Sequence, residues 1–128
     1  MILLLDTSTP LCKLSLIEGD VRFDNEWQAD RTLAKGLLKY IISNLEAHDK
    51  TWSDISAIGV YRGPGSFTGL RIGLTVANTV ADSQAIPIVG GQGEQWQEDV
   101  LKKLQAGQDD QIVLPLYGSE AHITSPRK

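Results

Sequence analysis

The stretch Arg62–Ala81, RGPGSFTGLRIGLTVANTVA, decides how the rest of the chain is read. An apolar run, Ile55 to Tyr61, leads into it, and Gly63-Pro64-Gly65 then marks a turn. Ser66 follows and is a good helix N-cap, because its hydroxyl can accept a free backbone N–H of a first helical turn. Beyond Ser66 the pattern is helical. Phe67, Leu70 and Leu74 share one face, Ile72, Val76 and Val80 share another, and Gly69, Gly73 and Ala77 form a third stripe without bulky side chains. The stretch is therefore predicted to be strand, tight glycine turn, then a helix buried on more than one side. Each interior glycine costs about 1 kcal/mol against alanine, so a close backbone approach must offset it. Either a partner helix packs on the stripe, or the stripe sits on the chain's own sheet.

Towards the N-terminus, Ile2–Leu5 is a short continuous apolar run, as in a central strand, and it ends in the polar loop Asp6-Thr7-Ser8-Thr9-Pro10. Alternation on both sides of Glu18-Gly19-Asp20 predicts a hairpin from Leu11 to Trp27. Asp30 or Thr32 can cap the next helix, whose Leu33, Leu37, Leu38, Ile41, Ile42 and Leu45 form one stripe ending near His48-Asp49. Towards the C-terminus, Ile86–Val89 is a short strand in which Pro87 limits pairing, and Gly90, Gly91 and Gly93 break the chain. Glu94 to Leu104 is a modest amphipathic helix. Ile112 to Tyr117 is a last apolar run, and Gly118 to Lys128 an extended tail. The order β-β-β-α-β-α-β, then a helix and a final extended segment, implies a mixed sheet with helices packed on it.

At 128 residues, 41% hydrophobic and 22% charged, the chain is one domain by size and can bury an ordinary core. Its net charge of −4 and pI near 5.0 argue against nucleic-acid binding by this chain alone, so a partner should hold any nucleic acid. Met1–Leu5 meets Asp6 at once with no basic region before it, and no apolar run approaches the ~20 residues of a membrane span. Neither a signal peptide nor a membrane is expected. The single cysteine, Cys12, permits no internal disulfide and is expected to be a buried thiol in a reducing cytoplasm.

Candidate chemistry is sparse. Asp6, Thr7 and Ser8 place a carboxylate and two hydroxyls at a strand's carboxyl end, where open α/β sheets bind ligands. They form either a metal-bridged phosphate site or a polar turn whose Asp6 caps backbone amides. Gly63–Ser66 before a helix is a possible anion site flanked by Arg62 and Arg71, but no P-loop lysine follows. His48 and His122 are isolated, so no metal site is expected. Ser66 does not sit in a GxSxG elbow, and no catalytic residue is assigned. Glu98-Asp99 and Asp109-Asp110 are expected to be solvated faces.

Asp6-Thr7-Ser8 after an apolar first strand, together with Gly63–Gly73 reading GPGSFTGLRIG, resembles the bacterial TsaB family, also called YeaZ. The resemblance covers Met1 to about Val89. It implies an α/β fold of the actin/Hsp70/sugar-kinase superfamily, a ribonuclease-H-like mixed sheet with two principal helices. It implies a non-catalytic subunit in making N6-threonylcarbamoyladenosine at position 37 of tRNA. The implied partners are a TsaD-like transferase and a TsaE-like ATPase, with a homodimer when the chain is alone and tRNA reached only through the complex. No cofactor is implied for the chain itself; ATP and Mg²⁺ would belong to the complex. Residues 1–90 would be the family's N-terminal subdomain. Residues 91–128 would be a short helix, strand and tail in place of a second subdomain, with Leu114-Pro115-Leu116-Tyr117 similar to a P-x-Y segment near the family's C-terminus.

In the family the two N-terminal helices pair with those of TsaD or of a second copy. That pairing implies an interface of Gly63, Pro64, Gly65, Ser66, Phe67, Gly69, Leu70, Arg71, Gly73, Leu74 and Ala77, with Leu37 and Ile41 from the first helix. On this reading Gly73→Leu abolishes partner binding and leaves the fold largely intact. The chain reads Thr32-Leu33-Ala34-Lys35 where members often carry histidine-serine-glutamate, so the details of pairing differ. Two other readings remain: a minimal nucleotide-binding phosphotransferase or hydrolase using Asp6, and a homodimeric interaction module.

Overall fold

A computed structural model describes residues 1–116. Tyr117, His122 and the tail from Gly118 lie outside the described residues. The elements are β1 (Ile2–Asp6), β2 (Leu11–Glu18), β3 (Val21–Gln28), α1 (Leu33–Ala47), β4 (Ala57–Gly63), α2 (Phe67–Gln84), β5 (Ile88–Gln92) and α3 (Trp96–Gln105). They build one five-stranded sheet in the order β3-β2-β1-β4-β5. β2 runs antiparallel to both neighbours, and β1, β4 and β5 are parallel.

The apolar run of β1 is continuous because both of its faces are covered. Leu3 and Leu5 point into the larger core with Leu14, Leu16, Ile58 and Val60, beneath Leu37 and Ile41 of α1 and Leu74 and Ala77 of α2. Leu4 points the other way, to Val89 and to Trp96 and Val100 of α3. A third helix thus covers the second face, beside the two principal ones expected. Past α3 that face turns polar. The buried Ser15 donates to Asp24, which also accepts from Arg22 at 2.8 Å. The Ser15 hydrogen bond first, and Arg22 second, hold the Asp24 carboxyl below the usual carboxylate range.

Several local expectations are corrected. Ile55 is outside the strand: Trp52–Asp54 form a 3-10 turn closed by a Thr51/Asp54 capping box, and β4 begins at Ala57. Thr32 stands at the N-cap of α1, as expected, but neither its side chain nor that of Asp30 makes a cap hydrogen bond. The Thr32 hydroxyl donates back to the Ala29 carbonyl at 2.6 Å, and the Asp30 carboxylate accepts from Gln28. Gly90 and Gly91 do not break the chain but lie inside β5. A Cβ at Gly90 would stand 2.6 Å from Val113, and one at Gly91 2.7 Å from the Trp96 carbonyl, so this strand has room for backbone only. Asp109 and Asp110 are exposed, as expected, and their carboxylates also accept the backbone N–H groups of Ile88 and Gly90. The last apolar run forms no strand within the described residues. It is an extended segment whose Val113 reaches the core. Among the described residues, no helix is long and apolar enough to cross a membrane.

Cys12 is fully buried, and burial first, with the Asp6 carboxylate second, pushes its thiol up to about 12. An unfolded thiol ionises near 8.5. The group therefore contributes stability below about pH 8.5 that is lost as pH rises towards 12. Native protein at pH 8 is expected to resist iodoacetamide at Cys12 and to be alkylated rapidly in denaturant, checked by mass spectrometry. Rapid alkylation of the native chain would contradict this burial.

Candidate functional site

The residues singled out in the sequence converge where β1 ends under the first turns of α2. The Gly63–Pro64 peptide is cis, and Gly63 has φ +137°, which favours glycine. The Tyr61 hydroxyl donates to the Pro64 carbonyl at 2.6 Å and pins the turn. Ser66 caps α2 as expected, its Oγ accepting the Gly69 N–H at 3.2 Å.

Beneath this turn, Thr7 and Ser8 are buried. The Ser66 N–H donates to the Ser8 carbonyl at 2.9 Å, and the Thr7 hydroxyl donates to the Gly69 carbonyl at 2.7 Å. The glycines make that approach possible. A Cβ at Gly65 would stand 2.5 Å from the Ser8 Cβ. One at Gly69 would overlap the Thr7 carbonyl oxygen, and one at Gly73 the Thr7 Oγ1. Of the two readings of the stripe, the structure supports the internal one: the stripe receives the chain's own β1–β2 loop.

Asp6 is engaged locally. Its Oδ1 accepts both the Ser8 N–H at 2.9 Å and the Ser8 hydroxyl at 2.6 Å, the polar-turn arrangement. Burial first, and Asp6 second, raise the Tyr61 hydroxyl above its ordinary value. Arg62 is held by the C-terminal segment. Its Nε donates to the Leu114 carbonyl at 2.9 Å. Arg71 lies over the Phe67 ring, 5.4 Å from its centroid. Among the described residues, no group of three or more histidine, cysteine, aspartate or glutamate side chains gathers as a metal centre would require.

The burial pattern divides the expected partner face in two. Gly63, Gly69, Leu70, Gly73, Leu74 and Ala77 are buried, Leu70 to 0% exposure, and so are Leu37 and Ile41 of α1. These residues pack inside the chain and leave almost no surface for a partner, so burial does not favour their expected interface role. Pro64, Gly65, Ser66, Phe67 and Arg71 are exposed. α1 and α2 both return from the carboxyl ends of parallel strands, so they run parallel and side by side. Their outward side carries Leu38 at 46% exposure and Phe67 at 55%, with Ile42, Ile72 and Val76 half-buried. Ala34 and Ile72 line one cleft of about 310 Å³ between the helices' first turns. Lys35, Lys39 and Arg71 stand exposed around this surface. Leu38, Ile72 and Val76 were named in the sequence only as stripe members, because periodicity gives the stripes but not which of two opposed stripes faces the sheet.

A family model described as TsaD, tRNA N6-adenosine threonylcarbamoyltransferase, matches residues 27–91. The chain is 36% identical over 89 residues to the tRNA threonylcarbamoyladenosine biosynthesis protein TsaB of Haemophilus influenzae, covering 69% of this chain and 37% of that protein. It is 34% identical over 90 residues to the TsaB of Escherichia coli K12, covering 70% and 38%. The solved structure of YeaZ from Pseudomonas aeruginosa aligns with a TM-score of 0.69 at 28% identity, covering 82% of this chain and 49% of that one. The chain thus spans less than half the length of these relatives. The part it shares with YeaZ is an α/β unit of the actin-like fold.

Proposed function

Because this chain belongs to the TsaB (YeaZ) family of tRNA threonylcarbamoyladenosine biosynthesis proteins, we propose that it is a non-catalytic accessory subunit that docks a TsaD-like transferase. The docking face is the outer side of α1 and α2. The observation that carries this reading is the apolar strip of exposed Leu38 and half-buried Ile72 and Val76 on two parallel helices whose opposite sides are already packed on the sheet. A helix pair with one stripe left towards water is suited to a second helix pair, which would complete a bundle. Lys35, Lys39 and Arg71 around the strip suit carboxylates on the partner, and such rim charges govern association rate and its salt dependence more than affinity.

On this reading Asp6, Thr7 and Ser8 are structural. Phosphate-binding loops keep backbone N–H groups open to the ligand. Here the Ser8 N–H is spent on Asp6, and the Ser66 N–H of the α2 turn on the Ser8 carbonyl. ATP and Mg²⁺ then belong to the assembled complex, and the chain alone meets tRNA only through its partner. A homodimer through the same strip is the form expected without that partner.

The test is reconstitution of threonylcarbamoyl transfer to tRNA from a TsaD-like transferase, a TsaE-like ATPase and a threonylcarbamoyl-adenylate-forming enzyme. Adding this chain is expected to restore modification that its omission abolishes, while the chain alone transfers nothing. Calorimetric titration of the lone chain with Mg-ATP is expected to show no binding below millimolar concentration. Tight binding would favour an enzyme using Asp6. No dependence of transfer on the chain would leave an interaction module unrelated to tRNA.

A further inference from the structure

In an end strand, alternate residues turn their N–H and C=O groups away from the sheet, and such groups are a template for pairing with another chain. β5 is an end strand; the Ile58 N–H of β4 donates to the Pro87 carbonyl and the Gly93 N–H to the Gly63 carbonyl, so Ile88, Gly90 and the terminal Gln92 are its outward residues. All four backbone groups of Ile88 and Gly90 are occupied. The Ile88 N–H donates to Asp109 Oδ1 at 3.1 Å, and the Ile88 carbonyl accepts the Asp110 N–H at 2.8 Å. The Gly90 N–H donates to Asp110 Oδ2 at 2.9 Å, and the Gly90 carbonyl accepts Lys103 Nζ at 2.9 Å. Three of these four partners are side-chain atoms.

The segment that delivers them is itself anchored. Asn78 of α2 takes the N–H and the carbonyl of Val113 at 2.9 and 3.0 Å, as a neighbouring strand would. The Leu116 N–H donates to the Arg62 carbonyl at 2.7 Å. Val113 packs on Gly90, where any Cβ would collide with it. The opposite end strand, β3, is defended differently, by its own Arg22, Asp24 and Glu26. β5 reads IVGGQ and carries no charge. Left uncovered, it would be a short, flat, uncharged edge.

We infer that Asp109 and Asp110, with Lys103, are an edge guard: they occupy the outward backbone groups of Ile88 and Gly90 and so prevent β5 from pairing with β5 of a second copy of this chain. Asn at either position keeps an acceptor oxygen, whereas Ala removes it.

The test compares Asp109→Ala/Asp110→Ala with Asp109→Asn/Asp110→Asn in the full chain, by amide hydrogen exchange and by light-scattering mass over a concentration series. In the alanine pair, the Ile88 and Gly90 amides are expected to exchange roughly five- to tenfold faster when dilute. Mass is expected to rise with concentration above that of the parent. The asparagine pair is expected to keep the parental mass. The inference is overturned by unchanged exchange at both amides, or by faster exchange with parental mass at every concentration. It is equally overturned if Leu38→Glu removes the added mass, since the contact would then be the helix face. Should the alanine pair also lose protection in β1, the single Asp110→Ala, which frees only Gly90 among the β5 amides and otherwise loses only the Gln108 side-chain contact, decides by the same two readouts.

Discussion

Leu38→Glu is expected to weaken the complex with a TsaD-like transferase by at least roughly tenfold while leaving the fold's stability nearly unchanged. The two halves of this expectation have separate causes. Leu38 is 46% exposed on α1, so exchanging it for another good helix former disturbs no packed interior, and exposed substitutions of this kind stay within about 0.5 kcal/mol. In the proposed interface the same position would be covered by a partner helix. A carboxylate placed there loses its water without gaining a designed cation, and a central interface residue of this sort is worth about 2 kcal/mol or more. Titration calorimetry against the transferase, with thermal unfolding of the free variant as control, separates the two. Parental affinity would move the interface away from this strip.

Gly73→Ala is expected to act the opposite way and to destabilise the fold by about 1–3 kcal/mol, a loss of several degrees in melting temperature. The new Cβ would coincide with the Thr7 hydroxyl, which is itself committed to the Gly69 carbonyl. Either the loop or the helix must move, and a buried hydrogen bond is strained in the process. Gly73→Leu is worse for the same reason. A glycine packed against the chain's own loop argues against the expectation that Gly73→Leu spares the fold. Thr7→Ala removes the colliding atom, so Gly73→Ala/Thr7→Ala should lose less stability than the two single changes added together. Additive losses would place the strain elsewhere.

These two positions mark what the sequence carried and what it could not. The strand–turn–helix around Ser66 was legible because each signal is local: an apolar run, Gly-Pro-Gly, a capping hydroxyl and a 3.6-residue period. The hairpin and the mixed order of strands followed from alternation and from helices interposed between apolar runs. The small-residue stripe was equally visible, but its neighbour was not. Thr7 lies far away in sequence, and nothing local separates a stripe that receives a loop from one that receives a partner helix. The same limit concealed the outward side of α1 and α2, since Leu37 and Leu38 belong to one apolar stripe and differ only in which side the sheet occupies. Asp109 and Asp110 read correctly as exposed carboxylates, but their bonds to β5 were hidden because backbone groups carry no side-chain signature. Gly90 and Gly91 read as a break because a strand tolerates glycine only when both its faces are closely covered, a tertiary fact.

The measurement that bears most directly on the central claim is the solution mass of this chain, alone and mixed at micromolar concentration with the TsaD-like transferase of the same organism. A mixed complex that forms at the expense of any homodimer is the expected result, because both assemblies would use the one strip on α1 and α2. A mixture that sediments as two separate species would contradict it, as would a mixed complex that leaves the homodimer intact within it.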